Sequence, residues 1–169
     1  MVERIPLELS DDHLVQLGRL VMTFSKLEHG VASVAMKLMD AQRDVARMVT
    51  STIPFGRSLD LMSALARHRY ASAPEVLERF EDAIKLSGQA EESRNRIIHS
   101  YWFFEMSDEG LTGRVARVKP KVRRTTGFTQ DRELMTPEGL AEAVQVVTNA
   151  EERIHDLYVT LWPPDSSED

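Results

Sequence analysis

Three polar residues near the middle of the chain have the types and the spacing needed to cleave a phosphodiester bond. Arg94, Asn95 and His99 lie close together within residues 91–101. A histidine can act as general base toward a ribose 2′-hydroxyl group, and an arginine can stabilise the charge that develops on the phosphate. Asn95 and His99 are four residues apart, so their side chains can hydrogen-bond on a helix and fix the imidazole orientation. The set predicts RNA cleavage that requires neither a metal ion nor a cofactor.

The spacing of Arg94 and His99 sets a condition on this prediction. Residues five apart are roughly 140° apart around an ideal helix, so these two side chains do not meet if the helix continues. They converge if the helix ends at about His99, or if a second subunit brings its own copy of the set close.

Ordinary structural roles account for the same residues. Glu91 can pair with Arg94, and Glu92 with Arg96, because side chains three or four positions apart are neighbours on a helix surface. His99 can cap the helix C-terminus, where a partly positive imidazole is favoured. Both interpretations fit the pattern.

The helix that carries these residues is predicted to begin at Pro74, a residue well suited to the first helical position. An earlier helix begins after Ser10, a suitable N-cap, and runs to about Met39. Its apolar stripe is interrupted by Glu28, a carboxylate where an apolar residue is expected, and we hypothesise that Glu28 orients Arg94. That stripe consists of Leu17, Val21, Phe24, Glu28, Val31, Ala35 and Leu38.

The other segments complete a mainly α fold, a four- to five-helix up-and-down bundle with a β-hairpin inserted before the last helix. Gly30 is expected to allow close approach of a neighbouring helix. The predicted elements are short helices at about 41–53 and 58–70, a hairpin at about 101–124 with Pro120 limiting its second strand to an edge, a loop at 125–132, and a last helix from Thr136-Pro137 to about Leu161.

Composition indicates a single soluble domain. The 169 residues are 42% apolar and 28% charged, and the chain has no cysteine, which excludes disulfides and thiolate metal sites. No segment is apolar enough for a membrane helix, and a cytoplasmic location is expected. We expect residues 1–10 to form a lead-in, 11–162 the domain, and 163–169 an acidic tail.

The predicted hairpin is basic although the whole chain carries a formal net charge of −6. Residues 110–130 contain six basic residues and no acidic residue. Such a patch on an acidic protein suggests a polyanion or an acidic partner, although lysines and arginines also protect the exposed edges of sheets. The predicted RNA contacts are Arg96, Arg114, Arg117, Lys119, Lys121, Arg123 and Arg124.

The segment Arg94-Asn95-Arg96-Ile97-Ile98-His99 resembles the R-N-x-x-x-H motif of HEPN domains (higher eukaryotes and prokaryotes nucleotide-binding). With Tyr101 it also fits R-x-x-x-x-H-x-Y, the form found in HEPN toxins. The resemblance implies a helical homodimer whose motifs face one another in a cleft, acting as a metal-independent endoribonuclease of a toxin or defence system. It implies catalytic roles for Arg94 and His99, with Asn95 in the catalytic set as the residue that positions them. The supporting roles that we predict for Glu28 and Glu91 are our own hypothesis and are not implied by the resemblance.

The resemblance also implies a partner, and two other functions are compatible with the sequence. Tyr101 matches the tyrosine that nucleotidyltransferase-type antitoxins modify in the toxin branch, so such an antitoxin is an expected partner. Alternatively, the chain is a non-catalytic HEPN module that binds a nucleotide or a protein through the basic hairpin. A third possibility is a helical homo-oligomer whose hairpin joins a neighbour's sheet.

Overall fold

Helices make up most of the protein. The computed structural model describes residues 9–108, 110–123, 125 and 127–163, although for residues 106, 107, 111 and 121–123 it describes the backbone alone. The helices of this part are α1 (Asp11–Met39), α2 (Arg43–Thr52), α3 (Phe55–Arg69), α4 (Pro74–Ile98) and α5 (Pro137–Leu161).

The predicted starts of α1 and α5 are confirmed by their N-caps. The Ser10 hydroxyl oxygen accepts a hydrogen bond from the backbone N–H of His13 at the start of α1. The Thr136 hydroxyl oxygen accepts one from the N–H of Gly139 at 3.1 Å at the start of α5. Each cap satisfies one of the N–H groups that a helix N-terminus leaves without an intrahelical partner.

The apolar seam of α1 differs from the predicted stripe. Val21, assigned to the core, is 46% exposed, whereas Leu20 and Leu27 are fully buried. The helix packs against α3, α4 and α5 together, and this wide contact buries two rows of residues seven apart. The rows are Leu20, Leu27 and Val34, and Phe24, Val31 and Leu38.

A three-stranded antiparallel sheet precedes the last helix, in the order β1 (Tyr101–Ser107), β2 (Gly110–Arg123), β3 (Gly127–Leu134). The predicted hairpin is confirmed, but the loop expected at 125–132 is wrong over most of its length, because β3 begins at Gly127. Most β3 side chains are exposed, so the strand lacks the apolar alternation that would reveal it. Its backbone pairing with β2 defines it instead.

Pro120 lies inside β2 without disrupting the sheet. The last pair between β1 and β2 joins Tyr101 to Val118, so β2 has a neighbour on one side only at Pro120. The missing N–H of proline can face this open side, which agrees with the predicted restriction to an edge.

The architecture is therefore mainly helical with a small antiparallel sheet before the last helix. None of the helices in the described ranges combines the length and the apolar character needed to cross a membrane. Most of the expected lead-in (1–8) and of the expected tail (164–169) lies outside the described residues.

Gly30 marks a close approach between α1 and α5. A Cβ atom at this position would lie 2.9 Å from Cγ2 of Ile154, which confirms the expected close approach. Gly30→Ala is expected to lower the free energy of unfolding by about 1–3 kcal/mol, because the added methyl group overpacks the interface. Gly18→Ala is the matched control on the same helix, since a Cβ there meets nothing within 4 Å.

The control is expected to gain about 0.5–1 kcal/mol from the better helix propensity of alanine. Urea denaturation followed by circular dichroism measures both variants. Equal stabilisation by the two substitutions would contradict the tight packing at Gly30.

Candidate active site

Helix α4 ends beside His99, which is the condition that the sequence set for Arg94 and His99 to meet. His99 is the C-cap residue, with φ −98° and ψ 27°, and Ile98 is the last helical residue. Side-chain donors reach three consecutive carbonyl oxygens of the last turn, where a helix lacks the regular intrahelical donors. Two of these oxygens, Asn95 O and Ile97 O, also accept backbone N–H groups at 3.4 Å. The side-chain donors are Lys119 Nζ to Asn95 O at 2.9 Å, Ser100 Oγ to Arg96 O, and Trp102 Nε1 to Ile97 O at 3.1 Å.

Because α4 ends here, the guanidinium of Arg94 lies between the side chains of Asn95 and His99. Arg94 Nη1 donates a hydrogen bond to Asn95 Oδ1 at 2.8 Å and lies 3.1 Å from His99 Nε2. A guanidinium can only donate, so Nε2 is the acceptor in this contact, and the tautomer that fits it carries its proton on Nδ1. Among the described residues, Asn95 and His99 are linked through Arg94, whose Nη1 contacts both side chains.

The ring of Phe24 contacts Arg94, and the ring of Phe55 packs against Phe24. The Cζ atom of Arg94 lies 5.2 Å from the centroid of the Phe24 ring on α1, within the range of a cation–π interaction. The ring of Phe55, the first residue of α3, packs against Phe24 with centroids 5.0 Å apart. The sequence reasoning treated Phe24 as core and assigned no role to Phe55, since aromatic residues at helical spacing usually pack in a core.

The hydrogen bonding of the Arg94 side chain is incomplete. Arg94 Nε is buried and has no hydrogen-bond partner within the described part of the chain. A buried donor without a partner is costly in a folded protein. Arg94 is thus fixed by its terminal nitrogen and by Phe24, and not by a complete set of hydrogen bonds.

The local ion pairs of the structural alternative do not form. Over the described ranges, neither Glu91 with Arg94 nor Glu92 with Arg96 appears as an ion pair. Glu91 instead faces the first turn of α3, where its Oε2 lies 3.4 Å from the position of a Cβ on Gly56. A carboxylate is favoured there because a helix N-terminus carries partial positive charge. One part of the alternative does hold, since His99 occupies the C-cap position.

Glu28 lies on the exposed side of α1 facing these residues. Partial burial raises the pKa of its carboxyl group above the ordinary value; Arg94 opposes this shift and Glu91 adds to it. The electrostatic coupling to Arg94 agrees with the hypothesis that Glu28 helps to orient it. The two side chains nevertheless form no direct ion pair among the contacts of the described residues.

The sign of this pKa shift gives a prediction for stability. Because the carboxyl pKa is higher in the folded than in the unfolded protein, ionised Glu28 destabilises the fold above the folded-state pKa. Glu28→Gln is therefore expected to raise Tm at neutral pH, and the gain should vanish as the pH falls below the ordinary value of 4.5. Glu92→Gln, an exposed glutamate on α4, is the control.

Thermal unfolding of both variants at pH 7 and at acidic pH measures the effect. A gain from Glu28→Gln that persists at acidic pH would contradict the assigned charge effect. A gain from Glu92→Gln of the same size would show that the position is not special.

Arg117 is inside the protein and does not lie on a surface open to RNA. The residue is 1% exposed, and its guanidinium contacts Glu133, Asp131 at 3.3 Å and Ser100 Oγ at 3.4 Å. Its charge is used to fix β3 to β2 and to hold the residue that follows His99. With Lys119, which donates to Asn95 O, it supports the end of α4.

The remaining predicted residues are distributed around the sheet. Arg114 is exposed and pairs with Glu105 at 3.3 Å, and Arg96 is exposed at 4.0 Å from Glu133. Tyr101 is 71% exposed at the start of β1, accessible to a modifying partner. Arg124 lies outside the described residues, as do the side chains of Lys121 and Arg123.

The Arg94 cluster, meaning Arg94, Asn95, His99, Glu28 and Glu91, combines a guanidinium, an amide, an imidazole and two carboxyl groups. Across the residues whose side chains are described, no three His, Asp or Glu side chains are grouped as metal ligands. In comparisons with protein-family models, curated proteins and solved structures, no match to this chain is found.

Proposed function

We propose that the protein is a metal-independent endoribonuclease related to HEPN domains, which cleaves RNA at the Arg94 cluster. The observation that carries the proposal is the position of Arg94 Nη1, at 2.8 Å from Asn95 Oδ1 and 3.1 Å from His99 Nε2. A base and an anion-stabilising cation meet at the exposed end of α4, where a phosphate group can approach them.

In the proposed reaction, His99 Nε2 removes the proton of a ribose 2′-hydroxyl group. The 2′-oxygen forms a bond to the adjacent phosphorus while the bond from phosphorus to the 5′-oxygen breaks, and its electron pair leaves with that oxygen. Arg94 Nη1 and the amide N–H₂ of Asn95 donate hydrogen bonds to the phosphate oxygens as negative charge develops. The products are a 2′,3′-cyclic phosphate and a 5′-hydroxyl group.

The 5′-oxygen needs a proton when it leaves, and we propose that a second copy of the chain supplies it from its protonated His99. A row of residues seven apart on α1 leads to the Arg94 cluster, comprising Leu14, Val21 and Glu28. Leu14 is 53% exposed and Val21 is 46% exposed, so the row leaves apolar surface uncovered. Covering this surface would bring two Arg94 clusters together.

The binding-module function receives less support from the sheet. Two of its described cations are committed within the protein, because Arg117 is buried and Lys119 caps α4. Arg96 is an exposed cation within the motif itself, and we propose that it contacts the RNA backbone.

The proposal is tested by incubating the purified protein in EDTA with an RNA oligonucleotide and with the DNA oligonucleotide of the same sequence. Cleavage of the RNA alone is expected, because the attacking 2′-hydroxyl group is absent from DNA. Cleavage of both substrates would contradict the mechanism, and so would RNA cleavage that EDTA abolishes.

A further inference from the structure

Strand β3 leaves one side of its backbone open. It lies at the edge of the three-stranded sheet and pairs with β2 alone. The N–H group of Met135 donates to Val115 O at 2.8 Å, which fixes the phase of the antiparallel ladder. In such a ladder every second residue turns its N–H and C=O groups toward the neighbouring strand, so the odd-numbered residues of β3 face β2. The residues whose backbone groups face outward are Phe128, Gln130, Arg132 and Leu134.

Pro120 of β2 agrees with this phase. It lies opposite Gln130, so its nitrogen, which carries no hydrogen, faces away from β3 and no hydrogen bond of the ladder is lost. Across the ranges that the structure describes, no backbone hydrogen bond joins the outward groups of β3 to another element. A row of unused donors and acceptors is a template on which another strand can pair.

Strand β3 also lacks several features that protect sheet edges. Its register with β2 continues without a bulge from Gly127 to Leu134, and its sequence contains neither proline nor lysine. The other edge strand, β1, has a register shift between Phe104 and Met106. Because bulges, prolines and lysines discourage pairing between edges, β3 is the edge better suited to pairing.

The charged residues of β3 select one register for pairing with a second copy of the same strand. Antiparallel pairing of identical strands places one residue opposite its own copy. If that residue were Asp131, Arg132 or Glu133, like charges would lie directly opposite each other, which is destabilising. Among the other residues, Gln130 is nearest to the middle of the strand and gives the longest overlap.

We propose that two copies of the protein associate through their β3 edges, in antiparallel register about Gln130, to form one continuous sheet. Residues with outward backbone groups then lie opposite one another, and each such pair exchanges two hydrogen bonds. Phe128, which is 63% exposed, lies opposite Arg132 of the second copy, and a guanidinium beside an aromatic ring is favourable.

This association is separate from the proposed active site. The open side of β3 faces away from β2, and β1, the strand that follows His99, lies on the other side of β2. The association uses no residue of the Arg94 cluster or of the α1 row, and it is independent of the proposed ribonuclease activity. Because the contact is limited to one strand, we expect a transient association.

Disulfide cross-linking of single-cysteine variants tests the register, because the chain contains no cysteine. In Gln130→Cys the two thiols lie on directly opposite residues, with Cα atoms about 5.5 Å apart, which a disulfide can span. Thr129→Cys, on the neighbouring residue, is the matched control, because its two Cα atoms lie about 8 Å apart in this register, which a disulfide cannot span. We expect a disulfide-linked dimer from Gln130→Cys and only the background of random collisions from Thr129→Cys.

Amide hydrogen exchange of the wild-type protein, followed by NMR at increasing protein concentration, tests the pairing without a substitution. The N–H groups of Phe128, Gln130 and Arg132 should gain protection as the concentration rises, whereas those of the odd-numbered residues are protected by β2 throughout. Gln130→Pro should abolish this gain, because it removes an outward N–H group and leaves the hydrogen bonds to β2 intact.

Three results would overturn the proposal. The first is equal cross-linking of Gln130→Cys and Thr129→Cys, which would indicate random collision or another register. The second is exchange at the outward amides of the wild type that does not depend on protein concentration up to about 1 mM, where even a millimolar affinity would be detected. The third is a gain of protection that persists in Gln130→Pro, which would assign it to a different contact.

Discussion

Replacement of His99 by alanine is expected to lower the rate of RNA cleavage by about 10²–10⁴-fold, the usual contribution of a general base. Among the residues whose side chains are described, the imidazole of His99 is the base in contact with Arg94. Its Nε2 accepts a hydrogen bond in the position where a 2′-hydroxyl group would replace the guanidinium. Because His99 is exposed and follows the last residue of α4, its removal should leave the fold intact. Initial rates with a fluorescent RNA oligonucleotide, together with thermal unfolding, measure both effects.

His68→Ala is the matched control for this substitution. His68 is also exposed, but it lies in the last turn of α3, at the opposite end of that helix from Phe55 and Gly56. Its replacement should leave cleavage unchanged. Full activity in the His99 variant would contradict the assignment of the general base, and loss of activity in both variants would indicate a defect unrelated to the Arg94 cluster.

Arg94→Lys is expected to lower the cleavage rate by about 10²–10³-fold, although the side chain keeps its positive charge. The planar guanidinium contacts Asn95 Oδ1 and His99 Nε2 from one nitrogen while its face packs on the Phe24 ring. A lysine ammonium is a point charge on a flexible chain and does not reproduce this combination. Single-turnover kinetics at saturating enzyme separate this loss from weaker RNA binding.

The control for this variant is Arg153→Lys on α5. It is the same change at an exposed arginine, which forms an ion pair with Asp82 of α4. It should have wild-type activity. Retention of full activity by Arg94→Lys would show that charge alone suffices, which would contradict the role assigned to the guanidinium geometry.

The starts of α1 and α5 could be predicted because local chemistry determines them. Ser10 and Thr136 accept hydrogen bonds from N–H groups that α1 and α5 leave free, and these caps can be recognised from residue type and position alone. The contact between Arg94 and His99 could only be stated as a condition. It depends on Lys119, Ser100 and Trp102 ending α4 at one residue, and two of these donors come from the sheet.

The role of the basic strand could not be read from its charges. Arg117 belongs to a cationic run, and such a run does not reveal which side chains of a strand face the protein interior. The useful signal was in the next segment, where Asp131 and Glu133 lie opposite Lys119 and Arg117 in the β2–β3 register. That pairing was missed because the segment was interpreted as a loop.

The aromatic support of Arg94 had no signal in the sequence. Phe24 and Phe55 come from different helices, and their contact depends on the angle at which α1 and α3 pack. The same limit applies to the α1 seam, where the choice between Leu20 and Val21 depends on which neighbours cover the helix. Tertiary packing, and not local periodicity, decides both cases.

The most direct test of the proposed function is the chemistry of the cleaved ends, measured by mass spectrometry after the wild-type protein and the His99→Ala variant act on one RNA in EDTA. The proposed mechanism predicts 2′,3′-cyclic phosphate and 5′-hydroxyl ends with the wild type and no cleavage with the variant. Ends bearing a 5′-phosphate, or identical products from both proteins, would contradict catalysis by the Arg94 cluster.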